Sequence, residues 1–399
     1  MERCYTLSFK IIAVADIHMS NKLSYAQPLP NQRGLTDRLA DQMHLWERMY
    51  AAALRNKVDA LFVLGDLFDR PTVDAVTLTY TTAAVMNSPV PVYILPGNHD
   101  ANSIRGGRFT VEAFSHMGKP KCHEPVEVIG EAVDGKEDID VLQIAVGKGQ
   151  SRRQLEFWPI GFRPVAETKA VLQRFRKKLD KNNYNVLLLH NSILGAEHLG
   201  WECDDGLEPD EVCQGFDQVL AGHFHLKQNF GDIGMYLGAP MHHHFGDAGR
   251  PAGFWVIEWP GGDKEPVMQF IDGGAPEFHV FESLKKPSKQ CGVKSGDYVR
   301  YEIEVTHPEW IKRKPVAQAI CDALKAEGIH ASFKQKPIAQ HEARLGEKDI
   351  KKAAAMSMEK AIGKYVKATG VVTSSLDLKR LREMGREILE SARGTHGAG

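Results

Sequence analysis

Five short apolar runs punctuate the first 225 residues, and each ends in a polar cluster. Ile11–Ala15 leads into Asp16-Ile17-His18, Ala60–Leu64 into Gly65-Asp66-Leu67-Phe68-Asp69, and Val92–Leu95 into Pro96-Gly97-Asn98-His99-Asp100. Val186–Leu189 precedes His190-Asn191, and Val219–Ala221 precedes Gly222-His223-Phe224-His225. Runs this short, rich in β-branched residues or leucine and bounded by Gly and Pro, predict buried strands rather than helices. All five deliver polar side chains at their carboxyl ends. Layered α/β folds place ligands there, because helices cover the sheet faces and leave the strand ends open.

Between the first two strands, Thr36–Lys57 carries Leu39, Met43, Trp46, Met49 and Tyr50 at three- and four-residue steps, which predicts a crossover helix. After about residue 275 the pattern changes, and Pro287, several lysines and Gly292 predict a linker. Val299, Tyr301, Ile303 and Val305 then alternate with polar residues as in a half-buried strand. A helix is expected to start at Pro315, carry Ala317, Ile320 and Leu324, and stop at Gly328, with Ile329–Phe333 returning as a strand. Farther on, Met358, Ile362, Tyr365 and Val366 share one helical face, and Leu378, Leu381, Ile388 and Leu389 share another beyond a break at Gly370. These two helices are too short to bury both faces alone and read as a docking element. The expected organisation is a main domain over 1–280, a small β-α-β unit over 293–340 and a helical segment over 350–393.

Composition narrows the classes. With 43% hydrophobic and 25% charged residues in 399, the chain can bury a core, which excludes disorder and collagen-like repeats. Its 50 basic and 51 acidic side chains nearly cancel, but unevenly. Residues 281–399 hold 23 basic and 15 acidic side chains, against 27 and 36 before them. Six scattered cysteines without a CxxC pair fit free thiols in a reducing compartment. No apolar stretch approaches the roughly 20 residues that span a bilayer. A cytoplasmic location without membrane contact is expected.

Asp16 and His18, at i and i+2, project to the same side of a strand end, and His223 and His225 repeat that geometry. Adding Asp66, Asn98 and His190 gives seven oxygen or nitrogen ligands. One ion can be held by Asp16, His18, Asp66 and His225, and a second by Asp66, Asn98, His190 and His223, with Asp66 bridging. Two ions about 3.5–4 Å apart make the clamp used for in-line displacement at phosphorus, and they lower the pKa of water to about 7 to supply an attacking hydroxide. Two divalent cations against two carboxylates and one hydroxide leave a net positive charge for a phosphate. Mixed imidazole and carboxylate ligation suits Mn²⁺, Fe or Zn²⁺ better than Mg²⁺ or Ca²⁺. His99 is not needed as a ligand and is free to protonate the leaving oxygen, with Asp100 orienting it. Asp69 is expected beside a ligand histidine. Met241-His242-His243-His244 is expected to form a loop near the site without adding ligands.

In their order, D-x-H, G-D-x-x-D, G-N-H-D, H-N and G-H-x-H resemble the calcineurin-like metallophosphoesterases. The stretches Asp59 to Pro71, Phe216 to His225, Tyr236 to Pro240, Phe245-Gly246-Asp247 and Gly253-Phe254-Trp255 resemble the SbcD-type DNA double-strand-break nucleases of that superfamily, including phage recombination nucleases. The resemblance implies a layered α-β-β-α sandwich with a small α/β DNA-capping domain and C-terminal helices that dock onto an SMC-like ABC ATPase. It further implies a homodimer with Mn²⁺-favoured exonuclease activity on duplex DNA and endonuclease activity on single strands, acting in repair or recombination, in the host cytoplasm if phage-encoded. Arg70, Arg105 and Arg108 are candidates for DNA phosphates. The rival class is a stand-alone phosphoesterase acting on a phosphoprotein, cyclic nucleotide or other small phosphoester.

Overall fold

The computed structural model describes residues 8–32, 34–102, 108–119, 122, 124, 126–130, 140–147, 153–198, 200–261, 265–287 and 291–337. Along the chain run β1 (Phe9–Val14), α1 (Asp37–Asn56), β2 (Ala60–Leu64), α2 (Ala75–Met86), β3 (Val92–Leu95), β4 (Glu127–Val128), β5 (Leu142–Val146), β6 (Arg153–Ile160), α3 (Val165–Arg176) and β7 (Tyr184–His190). There follow β8 (Glu197–His198), β9 (Trp201–Glu202), α4 (Pro209–Cys213), β10 (Gln218–Gly222), β11 (Gln228–Phe230), β12 (Gly234–Tyr236), β13 (Gly253–Trp259), β14 (Val267–Asp272), β15 (Phe278–Phe281), β16 (Tyr298–Val305), α5 (His307–Ala326) and β17 (His330–Pro337).

Two six-stranded sheets have the orders β14-β13-β1-β2-β3-β4 and β11-β12-β10-β7-β6-β5. Side-chain alternation sorts their apolar residues into layers. Ile12, Val14, Leu61 and Val63 cluster with Leu45, Trp46 and Met49 of α1. Ile11, Ala13, Phe62 and Leu64 cluster with Phe157, Val186, Leu188 and Leu220 of the other sheet. On that sheet's far side, Leu187, Leu189, Val219 and Ala221 meet Val171, Leu172 and Phe175 of α3. Helix, sheet, sheet and helix therefore stack as the expected α-β-β-α sandwich. Strands buried on both faces explain why the sequence shows continuous apolar runs there.

The five expected strands are present, three in one sheet (β1, β2, β3) and two in the other (β7, β10). Parallel pairing sets their carboxyl ends side by side, with Val14 opposite Val63, Val63 opposite Ile94, and His190 opposite Gly222. The expected crossover helix is α1, capped by the Thr36 side chain at Leu39 N and ended by Lys57 at φ 52°.

β15 pairs in parallel with β16, and β17 completes a three-stranded sheet. Here the helix differs from expectation, because α5 starts at His307 and encloses Pro315. Its start signal is Thr306, whose N and Oγ1 donate to Glu309 Oε2 at 3.2 and 2.9 Å, with Pro308 in the first turn.

The chain divides into two compact units, Met1–Glu302 with Val316–Lys334, and Ile303–Pro315 with Gln335–Gly399. The first holds both large sheets. In the second, Gln335 Nε2 donates to Val305 O at 3.0 Å. The expected helical segment 350–393 lies outside the described residues. Among the described residues Cys122, Cys203, Cys213, Cys291 and Cys321 are free thiols, and no helix is long and apolar enough to cross a membrane.

Candidate metal centre

The backbone is strained where the strand ends converge. Asp16, His18, Asp66 and His223 adopt φ of 56°, 51°, 51° and 113°, a region that L-residues avoid at a cost on the order of 1–3 kcal/mol each. A hydrogen-bond mesh holds them there. Asp16 N donates to Gly65 O (3.1 Å), His18 N to Asp66 O (2.9 Å) and Met19 N to Leu67 O (2.7 Å). Gln42, buried on α1, donates to Ile17 O (3.0 Å) and His18 O (2.7 Å) and accepts from Ser20 N (3.0 Å). Gly65 at φ 92° is required, since a Cβ there would stand 1.9 Å from His190 Nδ1.

All seven residues singled out as ligands meet at this end of the sandwich. Asp16, His18 and Asp66 form one group able to hold an ion, and Asp66, His190 and His223 another. Asn98 Oδ1 completes the second group, 3.1 Å from His190 Nε2 and 2.8 Å from His223 Nδ1. His225 Nε2 lies 3.2 Å from His18 Nε2. Asp66 Oδ1 accepts from His99 N at 2.8 Å, while Oδ2 stands 3.3 Å from His190 Nε2 and 3.8 Å from His18 Nε2. Further contacts orient the rings: His190 Nδ1 meets Leu64 O at 2.9 Å, and His223 Nε2 meets Ser192 Oγ at 2.9 Å.

Burial and mutual proximity set the charges of the cluster. Burial, with the Asp66 carboxylate, pushes Asp16 up to about 6 against the pull of His190. Burial also presses on Asp66, yet His190, His18 and His99 together hold its carboxyl well below the usual range. His190 loses by burial but gains more from Asp66, rising to about 9. Burial drives His223 down to about 3 and His18 well below an ordinary histidine. Nδ1 of His18, His225 and His243 are buried without a hydrogen-bond partner. A mixed imidazole, carboxylate and amide donor set with orphaned nitrogens suits divalent metal ions of intermediate softness.

Other expected residues are placed differently. Asp100 does not orient His99; its carboxylate accepts from Gly97 N (2.9 Å), Phe68 N (2.9 Å) and Leu67 N (3.3 Å) and braces two of the loops. Burial, with Asp66 nearby, raises it to about 7. The Asp69 main chain orients His99, Nδ1 of the exposed ring meeting Asp69 O at 2.8 Å. The Asp69 carboxylate lies 3.9 Å from His18 Nδ1 and 3.1 Å from Arg70 Nε. Arg70 and Arg108 are exposed, Arg108 reaching Glu112 at 3.1 Å, and Arg105 lies outside the described residues.

Sequence reasoning missed the histidine loop's part. His243 Nε2 meets Asp16 O at 2.9 Å, and its ring joins His18 and His225 in a third group able to hold an ion. Buried Asp247 receives His243 N at 2.9 Å and stands 3.5 Å from His225 Nδ1. Arg38, buried on α1, donates through Nη2 to His242 O. Around these groups opens a cavity of about 780 Å³, lined by His18, Asp66, Asp69, His99, His223 and His225 among others.

The sequence profile of the family described as calcineurin-like phosphoesterase matches residues 9–227, the segment that supplies all seven of these side chains. Over 352 residues, 80% of this chain and 78% of the relative, the sequence is 24% identical to the DNA double-strand break repair protein Mre11 of Aeropyrum pernix. It is 20% identical over 239 residues, 58% of this chain and 54% of the relative, to the Mre11 of Saccharolobus solfataricus. A similar likeness, 24% over 336 residues covering 76% of this chain and 74% of the other, links it to the uncharacterized metallophosphoesterase YhaO of Bacillus subtilis.

Proposed function

The chain belongs to the calcineurin-like phosphoesterase family and so is a metal-dependent hydrolase of phosphoesters, and from that premise we propose that its substrate is DNA. The observation that carries the proposal is the convergence of seven donor side chains at the ends of strands from both sheets, four of them (His18, Asp66, His223 and His225) lining one cavity, in a chain that shares 24% identity over most of its length with a DNA double-strand break repair protein. Asp16, His18, Asp66 and His225 would hold one ion, and Asp66, Asn98, His190 and His223 a second. When bound, the two cations polarise the phosphodiester and acidify a water for attack. Asp66, a member of both groups, would serve both ions, and its Oδ1 also accepts from His99 N at 2.8 Å. His99, exposed at the cavity and held at Nδ1 by Asp69 O, presents Nε2 to the leaving oxygen and protonates it. Arg70, exposed and paired with Asp69 next to His99's anchor, would exchange that carboxylate for a DNA phosphate.

In its finer form the proposal is an SbcD-type nuclease that prefers Mn²⁺, works as a homodimer, and acts as an exonuclease on duplex ends and an endonuclease on single strands. Residues 1–280 carry the chemistry, 293–340 cap the DNA, and 350–393 dock an SMC-like ABC ATPase. The basic excess after residue 281 supports a role for these later segments near a polyanion. Purified protein incubated with linear duplex and single-stranded DNA and Mn²⁺ tests the proposal, with chelator and His99→Ala controls. Metal-dependent cleavage is expected. Intact DNA beside rapid turnover of a small phosphoester would favour the stand-alone phosphoesterase instead.

A further inference from the structure

The cavity over the metal centre has a wall that this chemistry does not use. β8 and β9 pair as a hairpin, and its His198, Trp201 and Glu202, with Asp204 just beyond, line the same cavity as His18, His99 and His223. Trp201 is 79% exposed, whereas Trp46, Trp158 and Trp259 are at most 3% exposed. An indole kept in water beside a polar cavity forgoes the burial its surface favours, so it is placed for something that arrives there.

The hairpin is firmly tied down. Cys203 N donates to Ala196 O at 2.8 Å, and Gly195 N to Cys203 O at 2.9 Å. Glu197 N donates to Gln228 Oε1 at 2.7 Å, Gln228 Nε2 returns to Glu197 O at 2.8 Å, and Arg250 pairs with Glu197 at 2.7 Å. The His198 ring packs 5.1 Å from Phe224, the residue between two of the proposed ligands. Trp201 therefore stands on the same framework as the loop that carries His223 and His225.

Charge decides what this wall takes. Glu202, Asp204 and Asp205 are exposed around Trp201, so a phosphate is repelled there and drawn to the cationic end of the cavity. A flat uncharged ring fits the indole. A nucleotide offers both parts when its base is unpaired, whether in a single strand or frayed at a duplex end, because bases inside a duplex keep both faces covered.

We infer that Trp201 is a stacking platform for a nucleobase next to the scissile phosphate, which selects unpaired over paired DNA at the cut. The inference rests on the nuclease proposal, and its test separates the two. Wild type, Trp201→Ala and Trp201→Phe are compared on a single-stranded oligonucleotide and on the same strand made abasic. Trp201→Ala raises KM for the base-bearing strand about five- to hundredfold, the range of base–aromatic stacking, with kcat little altered, and phenylalanine restores most of the loss. The abasic strand does not distinguish the variants. In chelator, where nothing is cut, oligo(dT) quenches indole emission in the wild type and not in Trp201→Ala. Equal KM values for wild type and alanine variant, or an equal loss on the abasic strand, overturn the platform while leaving the nuclease intact. Failure of the wild type to cut any DNA overturns both.

Discussion

His18 and His225, 207 residues apart in the chain, turn their Nε2 atoms toward each other at 3.2 Å. Nitrogen ligands about 2.0–2.1 Å from a common ion stand roughly 3.0–3.4 Å apart, so the spacing is that of a shared cation. The same distance suits an Nε2–H···N hydrogen bond between one donating and one accepting imidazole, so a divalent ion that binds here replaces the proton the two rings share.

Because both rings serve one ion, His18→Ala and His225→Ala are each expected to lower bound Mn²⁺ from about two equivalents to about one, and the double substitution to lower it no further. Elemental analysis after gel filtration measures this. A double variant that loses twice as much as either single one would assign the rings to different ions.

Asp66 belongs to both candidate groups, so its effect should be larger. Asp66→Asn keeps the shape and the oxygen that accepts from His99 N but removes the charge between the ions. Both ions should be lost, and turnover should fall at least about a thousandfold, since each cation contributes several kcal/mol. Two ions still bound in this variant would refute the bridge.

His99 is held by Asp69 O through Nδ1; it groups with His18 and Asp69 but belongs to neither of the two groups that contain Asp66. His99→Gln should therefore retain both ions and lose turnover by about 10²–10⁴-fold on DNA. The loss should be much smaller on a p-nitrophenyl ester, whose leaving group departs without a proton. An equal loss on both substrates would show that the ring binds rather than protonates.

The strands and their polar ends were legible because each depends on a few consecutive residues. Ala60–Leu64 is apolar throughout since β2 is covered on both faces, and the turn that follows needs Gly65 to clear His190. What stayed hidden depends on distant partners. His243 reaches Asp16 across 227 positions and Arg38 reaches His242 across 204, so no local pattern marks either. Asp100 was misjudged because its neighbour in sequence, His99, is not its neighbour in bonding; its oxygens serve the main chain of Gly97, Leu67 and Phe68. Pro315 gave a false helix start because Thr306 and Glu309 cap the helix earlier.

The pH dependence of the metal-free protein gives a further test. His190 is raised from 6.5 to about 9 in the folded chain, chiefly by Asp66 against the cost of burial. The folded state thus binds this proton more tightly than the unfolded state. Its contribution to stability is fully present below about pH 6.5 and is lost as pH rises through about 9, on the order of a few kcal/mol in all. His225, raised by Asp247 against burial, acts in the same direction. His18, His223 and His243 are held low by burial, so their unfolded-state protons oppose the fall near pH 6.5 and add no slope above about pH 7.5, while Asp100, raised to about 7 by burial, adds to the fall around neutral pH. Asp66, held low, is ionised in both states throughout that window. In chelator, the unfolding midpoint should therefore fall between pH 6.5 and 8.5. A metal must displace the His190 proton to bind, and that cost shrinks as pH rises, so the upward shift given by Mn²⁺ should grow over the same interval. Thermal unfolding followed by circular dichroism near pH 6.5, 7.5 and 8.5, with EDTA or with Mn²⁺ under argon, measures both trends. His190→Gln should flatten much of the chelator slope, and a variant that keeps the full wild-type slope would show that the proton resides elsewhere.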